Sequence, residues 1–267
     1  MKFSNASPVR LLAQLLLIAA CAMQTASAMQ EAEQAISPAE VLLFQTNHLQ
    51  NIHAAVTLTY SFKKISNLEP GFEDEVQIDV SQPDAEQARQ VALHFLSGSR
   101  KFDLPEIGSP QGNPALLGFL ERDILEMKRL TGGSTAYFRK RIRLALAGSA
   151  QLRPVSFSYN GQTVQGQEVK AEPYMDDPMR ERFEQFANKS YVFIVSDKVP
   201  GGLYQIKTSS SGLAKNATST DPSVMEETLT LVRETVLQRP GGSDSRLEMN
   251  AGTNANAGFE SVVKPGI

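Results

Sequence analysis

The chain has 267 residues, a formal net charge of −3 and a single cysteine. The acidic balance argues against a general nucleic-acid binder. The lack of tryptophan and an aromatic content of 7% argue against a module that stacks on carbohydrate. The chain is long enough to bury the core of one domain, and its length does not require a second.

The first 28 residues have the pattern of a secretory signal. Lys2 and Arg10 precede an apolar run at 11–20, and residues 26–28 (Ala-Ser-Ala) offer a small-residue cleavage site. The apolar run is shorter than the roughly 20 residues that a membrane-spanning helix needs. Removing residues 1–28 takes away two bases and no acid, so the net charge moves from −3 to −5. We therefore predict export to the bacterial periplasm.

Cys21 opens a second processing route. It follows Leu-Ile-Ala-Ala at 17–20, which resembles the lipobox of bacterial lipoproteins. Cleavage before Cys21 would give a protein anchored to the membrane by lipid, whereas cleavage after Ala28 would remove the cysteine. We favour cleavage after Ala28, because residues 24–28 form a polar-to-small cleavage region. On either route the mature chain has no disulfide and depends on its core for stability.

Residues 113–147 predict two helices joined by a glycine turn. Asn113 can cap the first helix, and Pro114 occupies a position where a missing N–H costs nothing. Gly132 and Gly133 end the first helix, and Ser134 can cap the second. Each helix has an apolar stripe at helical spacing. The stripes are Leu116, Leu120, Ile124 and Met127, then Tyr137, Phe138, Ile142 and Leu146.

The regions on both sides of this helical pair alternate apolar and polar residues with a period of two, which predicts antiparallel strands. Asn160-Gly161 is a strong signal for a tight hairpin. Short helices are predicted to begin at Ser37-Pro38, running to Leu49, and at Asp177-Pro178. The predicted strands cover 54–64, 76–80, 91–95, 155–159, 164–169, 191–195 and 203–208.

These elements predict a signal peptide at 1–28 and a single α+β domain at 29–208. In that domain an antiparallel curved sheet, made of two meander or hairpin regions, packs around a central helical hairpin. Residues 209–267 are rich in small and polar residues and are predicted to be a low-complexity tail. One helix is predicted in this tail at about 222–239, and residues 242–267 are predicted to be disordered.

The order of the elements resembles, at the level of architecture, that of periplasmic lipoprotein-carrier proteins. The resemblance implies a half-open sheet that covers helices and holds acyl chains. It implies an exported envelope protein of non-catalytic type that binds a lipid, a hydrophobic ligand or a partner protein. A periplasmic hydrolase whose site residues are scattered in the sequence stays open as the alternative.

Few residues carry a catalytic or metal-binding pattern. His48 and His53 are five residues apart across a boundary between helix and strand, so they do not share a helix face as a metal pair would. Ser61 and Lys64 match a serine acyl-enzyme motif by letters, but that motif needs a helix N-terminus and this segment alternates like a strand. We therefore predict no metal, no cofactor and no catalytic residues.

The most distinctive local feature is a basic cluster in the second helix, Arg139, Lys140, Arg141 and Arg143. Arg139 and Arg143 are four residues apart and face the same way, which makes them the best pair for binding an anionic ligand, a lipid headgroup or an acidic partner. The alternative is a solvated helix face that pairs with acids elsewhere.

Overall fold

The computed structural model describes residues 36–81, 90–104, 110–211 and 223–237. The predicted signal peptide with its cysteine and the far C-terminal part of the predicted tail lie outside these residues. Within the described segments, no helix is both long enough and apolar enough to cross a membrane.

The described strands form one open, curved antiparallel sheet, which confirms the predicted α+β class. They are β1 (Val56–Ser66), β2 (Phe72–Val80), β3 (Val91–Phe95), β4 (Gln151–Tyr159), β5 (Gln162–Ala171), β6 (Ser190–Val195), β7 (Leu203–Ser211) and β8 (Ser223–Val236). Their order across the sheet is β3-β2-β1-β8-β7-β6-β5-β4. The last strand in sequence therefore lies between the first strand and the seventh.

Helices pack on one face of this sheet. The described helices are α1 (Pro38–Glu40), which continues as a π-helix (Val41–Gln45), α2 (Pro114–Thr131), α3 (Thr135–Gly148) and two 3-10 helices (Gly98–Arg100 and Arg180–Phe186). Helix α2 packs against β2 and β3, whereas α3 packs against α1 and β5. The N-terminal helix predicted to reach Leu49 ends at Gln45, because Thr46 adopts an extended backbone.

The local signals around the helical pair act as the sequence predicts. The Asn113 side chain accepts a hydrogen bond from the Ala115 N–H at 2.9 Å, and the Ser134 hydroxyl accepts one from the Tyr137 N–H at 3.2 Å. Gly132 ends α2 in the left-handed conformation with a φ of 72°. Asn160 and Gly161, which join β4 to β5, both have positive φ, as a two-residue hairpin of this kind requires.

The core fills the space between β1 and the helical pair. Leu58, Tyr60 and Phe62 of β1 are fully buried, and the Phe62 ring lies 6.1 Å from that of Phe119 in α2. A Cβ atom at Gly118 would lie 2.7 Å from the Phe95 ring, so glycine allows α2 to approach β3 closely.

The core also encloses a buried ion pair that the sequence did not predict. Lys189 donates to Asp123, and both side chains are fully buried. The Tyr191 hydroxyl donates to the second carboxylate oxygen of Asp123 at 2.6 Å. Burial, followed by the charge of Asp123, raises the pKa of Tyr191 and keeps it a neutral donor. The pair thus ties α2 to β6 through satisfied partners.

The helix predicted at about 222–239 is wrong. Residues 223–236 form β8, which pairs with β1 on one side and β7 on the other. Glu227, Leu229 and Leu231 are buried while the residues between them are partly exposed, which is the period of a strand. The prolines that flank this segment in the sequence are compatible with a helix or a strand. Its pairing with β1 and β7 makes it a strand. By joining the two predicted strand regions, β8 makes them one sheet.

Since β8 is central, we predict that Leu229→Ala costs about 2–5 kcal/mol of stability, the usual cost of a truncated core leucine. Val232 lies in the same strand and is 49% exposed. Val232→Ala should change stability by less than about 0.5 kcal/mol, as expected for a surface change. Urea unfolding followed by circular dichroism measures both values, and equal small effects would contradict a central β8.

Candidate functional site

A buried asparagine joins four segments of the chain at one end of the sheet. The Asn113 amide, which is fully buried, donates to the Tyr60 hydroxyl at 2.8 Å and to the Gly201 carbonyl at 2.7 Å. Its backbone N–H donates to Nδ1 of His48 at 3.1 Å. The start of α2 is therefore fixed to β1, to the turn before β7 and to the segment that follows the π-helix.

His48 is held in one tautomer by its two hydrogen bonds. Nδ1 accepts from the Asn113 N–H, and Nε2 lies 2.8 Å from the Leu42 carbonyl, which only accepts. The proton must therefore be on Nε2. Burial lowers the pKa of His48, and the Leu42 hydrogen bond opposes this effect only in part. Both ring nitrogens of the neutral side chain are occupied.

The turn before β7 lies directly against this histidine. Asn51 donates to the Val199 carbonyl at 2.6 Å and accepts from the Gly201 N–H at 3.2 Å, which fixes the shape of the turn. Gly202 has a φ of 71°, and a Cβ atom there would lie 2.9 Å from the His48 ring. Glycine is therefore required at position 202 by both backbone conformation and space.

These contacts form one wall of a cavity of about 360 Å³. The cavity lies between the segment after the π-helix and the adjoining parts of β5 and β6. Most of its lining surface is apolar. Leu42, Val195 and the His48 ring are among the lining groups, together with several side-chain amides. The lining residues are Leu42, Thr46, Asn47, His48, Gln50, Asn51, Gln165, Gly166, Gln167, Val195, Ser196, Asp197 and Gly202. We call this site the amide-lined cavity.

The chemistry of the amide-lined cavity favours binding. Its volume falls within the range of about 300–1,000 Å³ that small-molecule sites occupy. Among the described lining residues, the one with a formal charge is Asp197, which pairs with Lys198 at 3.2 Å. The Ser196 hydroxyl donates to the Gln165 carbonyl at 2.6 Å. To act as a base, His48 would have to give up its bond from Asn113.

The two arginines predicted as a binding pair lie elsewhere, on the exposed side of α3. Arg139 makes two hydrogen bonds to Glu121 of α2, at 2.6 and 3.0 Å, and Arg143 is exposed. Neither lines the amide-lined cavity. Arg141 points in another direction: Nε lies 2.8 Å from Asp177 Oδ2, and its N–H is directed to the Pro173 carbonyl.

The other histidines do not join His48. His53 is exposed, and His94 lies on β3 with Nε2 at 3.2 Å from Asp79 Oδ2. In the segments that the structure describes, no three potential metal-ligating side chains form a group. Ser61 and Lys64 both lie on β1, so the helical context of the acyl-enzyme motif is missing.

The amide-lined cavity itself was not predicted. Its lining comes from three stretches far apart in the chain, for example Asn47, Gln165 and Asp197, and no local period connects them. The available signal was chemical. Gln165 and Gln167 occupy the strand face on which Val169 is buried, where a continuous core would need apolar residues.

Comparisons with known proteins give no family. No family model matches the sequence, and no curated protein does. Lipoprotein LppX of Mycobacterium tuberculosis overlaps with 73% of this chain and 95% of its own, at 9% identity and a TM-score of 0.30. A LolA superfamily protein from Nitrosomonas europaea overlaps with 76% of this chain and 94% of its own, at 9% identity and a TM-score of 0.22. LprF from Mycobacterium bovis overlaps with 78% of this chain and 99% of its own, at 11% identity and a TM-score of 0.27. At this level the similarities carry no functional argument.

The His48 contacts predict a loss of stability in acid. The unfolded chain binds a proton near the ordinary pKa of 6.5, whereas the folded chain resists protonation because its pKa is lowered. The contribution of His48 is therefore complete above pH 6.5 and is lost as the pH falls below it. Each unit of difference in pKa corresponds to about 1.4 kcal/mol.

Urea midpoints measured between pH 5 and 8 test this prediction. His48→Gln keeps a donor and an acceptor but does not titrate in this range, so it should flatten the pH dependence. His53→Gln removes an exposed histidine and should leave the slope of the wild type unchanged. A wild-type slope in His48→Gln would show that other groups cause the acid loss.

Proposed function

We propose that this protein is an exported, non-catalytic envelope protein that holds a hydrophobic or lipid-like molecule in the amide-lined cavity. The observation that carries the proposal is a cavity of about 360 Å³ whose lining is mainly apolar and is fixed by the Asn113 and His48 hydrogen bonds. A site held in place before binding loses less entropy when a ligand enters. The signal pattern in residues 1–28 supports an envelope location.

The lining also indicates the kind of ligand. Apolar side chains favour an apolar body, while Asn47, Gln50 and Gln167 can both donate and accept hydrogen bonds. A ligand with a charged end would meet no cationic side chain among the described lining residues. We therefore propose an uncharged amphiphile whose hydroxyl, ester or amide groups reach the amides.

Filling the cavity should weaken binding. Gln167 lines it and is exposed, so Gln167→Phe adds bulk without disturbing the core. Gln162→Phe is the matched control, since Gln162 is exposed on the same strand and does not line the cavity. The probe is N-phenyl-1-naphthylamine, an uncharged apolar fluorophore. We expect Gln167→Phe to raise its dissociation constant about tenfold or more, a loss of at least ~1.4 kcal/mol.

Native mass spectrometry of protein purified from its own envelope identifies the natural ligand. A retained adduct of lipid size that is lost in Gln167→Phe, and kept in Gln162→Phe, is the expected result. Equal probe binding by both variants would place the site elsewhere. Recovery of a cleaved ligand would favour the hydrolase alternative.

We further propose that the outer side of the helical pair contacts an anionic lipid surface, with Arg139 and Arg143 among its cations. This chain is acidic overall, yet the exposed helical residues include Lys128, Arg139, Lys140 and Arg143. Leu125 and Leu144 are 45% and 42% exposed on the same two helices. Exposed leucines beside cations are typical of helices that lie on membranes.

The double variant Arg139→Ala, Arg143→Ala should bind vesicles containing anionic lipid about thirtyfold more weakly, because each basic residue near such a surface contributes about 1 kcal/mol. The remaining affinity should depend less on salt. Vesicle sedimentation at several salt concentrations measures both effects.

The matched control removes two other cations. Lys63 and Lys207 lie on the sheet and pair with Glu73 and Glu226 at 2.6 and 2.8 Å. Lys63→Ala, Lys207→Ala changes the net charge equally and should retain vesicle binding. Equal losses in both double variants would show that vesicle binding depends on net charge alone. If the wild type binds an acidic protein but no vesicles, the partner of this surface is a protein and not a lipid.

A further inference from the structure

A second cleft, of about 300 Å³, lies at the opposite end of β1 from the amide-lined cavity. Its lining includes Arg100, Arg122 and Arg129 together with Lys64, against two acids, Glu69 and Glu126. The described lining therefore carries four cations and two acids. We call this site the arginine cleft.

The two acids are already paired. Lys64, whose side chain is 4% exposed, donates to Glu69 and also to Glu126 at 2.5 Å. Arg129 donates to the same two carboxylates, at 2.7 Å from each. Hydrogen bonds from Arg129 and Lys64 hold the pKa of the Glu126 carboxyl well below its usual range although burial opposes them. The acids thus stay ionised and offset Lys64 and Arg129.

Arg100 and Arg122 form the other half of the cleft, and both lie near one ring. Their guanidinium groups lie 4.8 and 5.9 Å from the centre of the Phe72 ring. Arg122 also lies 4.7 Å from the centre of the Phe62 ring. Contacts of this kind hold a guanidinium without using its N–H groups.

Within the described part of the chain, these two arginines use few of their N–H donors. Arg100 uses Nε to donate to Asp74 at 3.0 Å, and Arg122 uses one Nη1 hydrogen to donate to Glu227 at 2.9 Å. Among the described residues, the other guanidinium donors of this pair have no acceptor. The Arg122 side chain is 14% exposed, so its charge acts in a partly desolvated site where it is felt more strongly.

We propose that the arginine cleft binds a phosphoryl group, supplied either by free phosphate or by a phospholipid headgroup. Guanidinium forks match the geometry of phosphate oxygens, and Arg100 and Arg122 have further N–H donors besides those that bind Asp74 and Glu227. Leu68, which precedes Glu69, is an exposed apolar residue that an acyl chain would contact if the phosphoryl group belonged to a phospholipid. In the segments that the structure describes, this cleft and the amide-lined cavity have no lining residue in common.

Isothermal titration with inorganic phosphate at low salt tests the proposal directly. Arg100→Gln, Arg129→Gln removes the donors of Arg100 and the positive charge that offsets Glu69 and Glu126. Phosphate binding should therefore weaken about tenfold or more. Lys63→Gln, Lys207→Gln removes two cations that lie on the sheet outside the cleft, and this variant should bind as the wild type does.

A third variant tests the sign of the effect. Glu69→Gln removes an acid from the cleft and releases an Arg129 donor, so phosphate should bind more tightly than to the wild type. Arg100→Gln alone, at a largely exposed side chain, gives a milder loss if either larger change impairs folding. No phosphate binding by the wild type, or affinities that do not change across these variants, would overturn the proposal.

A titration with short-chain phosphatidic acid below its micelle concentration distinguishes the two sources. Tighter binding of this lipid than of phosphate, retained in Gln167→Phe, supports a headgroup in the arginine cleft. Equal affinity for both supports free phosphate. A third outcome would overturn a headgroup in the arginine cleft. If Gln167→Phe abolishes lipid binding and the double variant Arg100→Gln, Arg129→Gln retains it, the lipid binds in the amide-lined cavity.

Discussion

The arrangement of this protein depends on the side-chain amide of Asn113. An asparagine side chain offers two donors and one acceptor, and here each has a partner: Tyr60, Gly201 and the Ala115 N–H. The group is fully buried, so each missing bond would leave a desolvated polar atom. Tyr60 and Gly201 lie 53 and 88 residues from Asn113 in sequence, so the set forms only when helix, sheet and turn are all in place.

The inward face of β1 changes from uncharged polar to apolar to charged side chains along the strand. The two candidate sites lie beside its two different ends. Tyr60 belongs to the hydrogen-bonded end beside the amide-lined cavity, and Lys64 belongs to the charged end beside the arginine cleft. Phe62 lies between them and packs against Phe119. One end therefore presents uncharged polar groups and the other charged ones, with packed aromatic rings between them.

Local signals were sufficient for the helical pair and for most of the sheet, but not for contacts between distant segments. Asn113, Gly132 and Ser134 act within a few residues of themselves, so the sequence predicted their roles. The pairing of β8 depends on β1 and β7, which lie far from it or apart from it in sequence. Its alternation of buried and exposed residues indicates a strand, whereas the residues that flank it are typical of a helix. Helical spacing placed Arg139 on the exposed side with Arg143, yet it could not identify Glu121 on another helix as a partner.

The amide-lined cavity exists because the sheet extends beyond its helical cover. On the inward face of β5, Ala171 and Val169 are buried, whereas Gln167 and Gln165 line the cavity. Val195 pairs with Gln167 at the same level, where the neighbouring cover is the segment around His48. A strand alternates its faces whether or not helices cover it, so inward positions without cover must tolerate solvent or a ligand. Glutamine tolerates both, which is the physical reason that polar residues continue the inward row of β5 at this point.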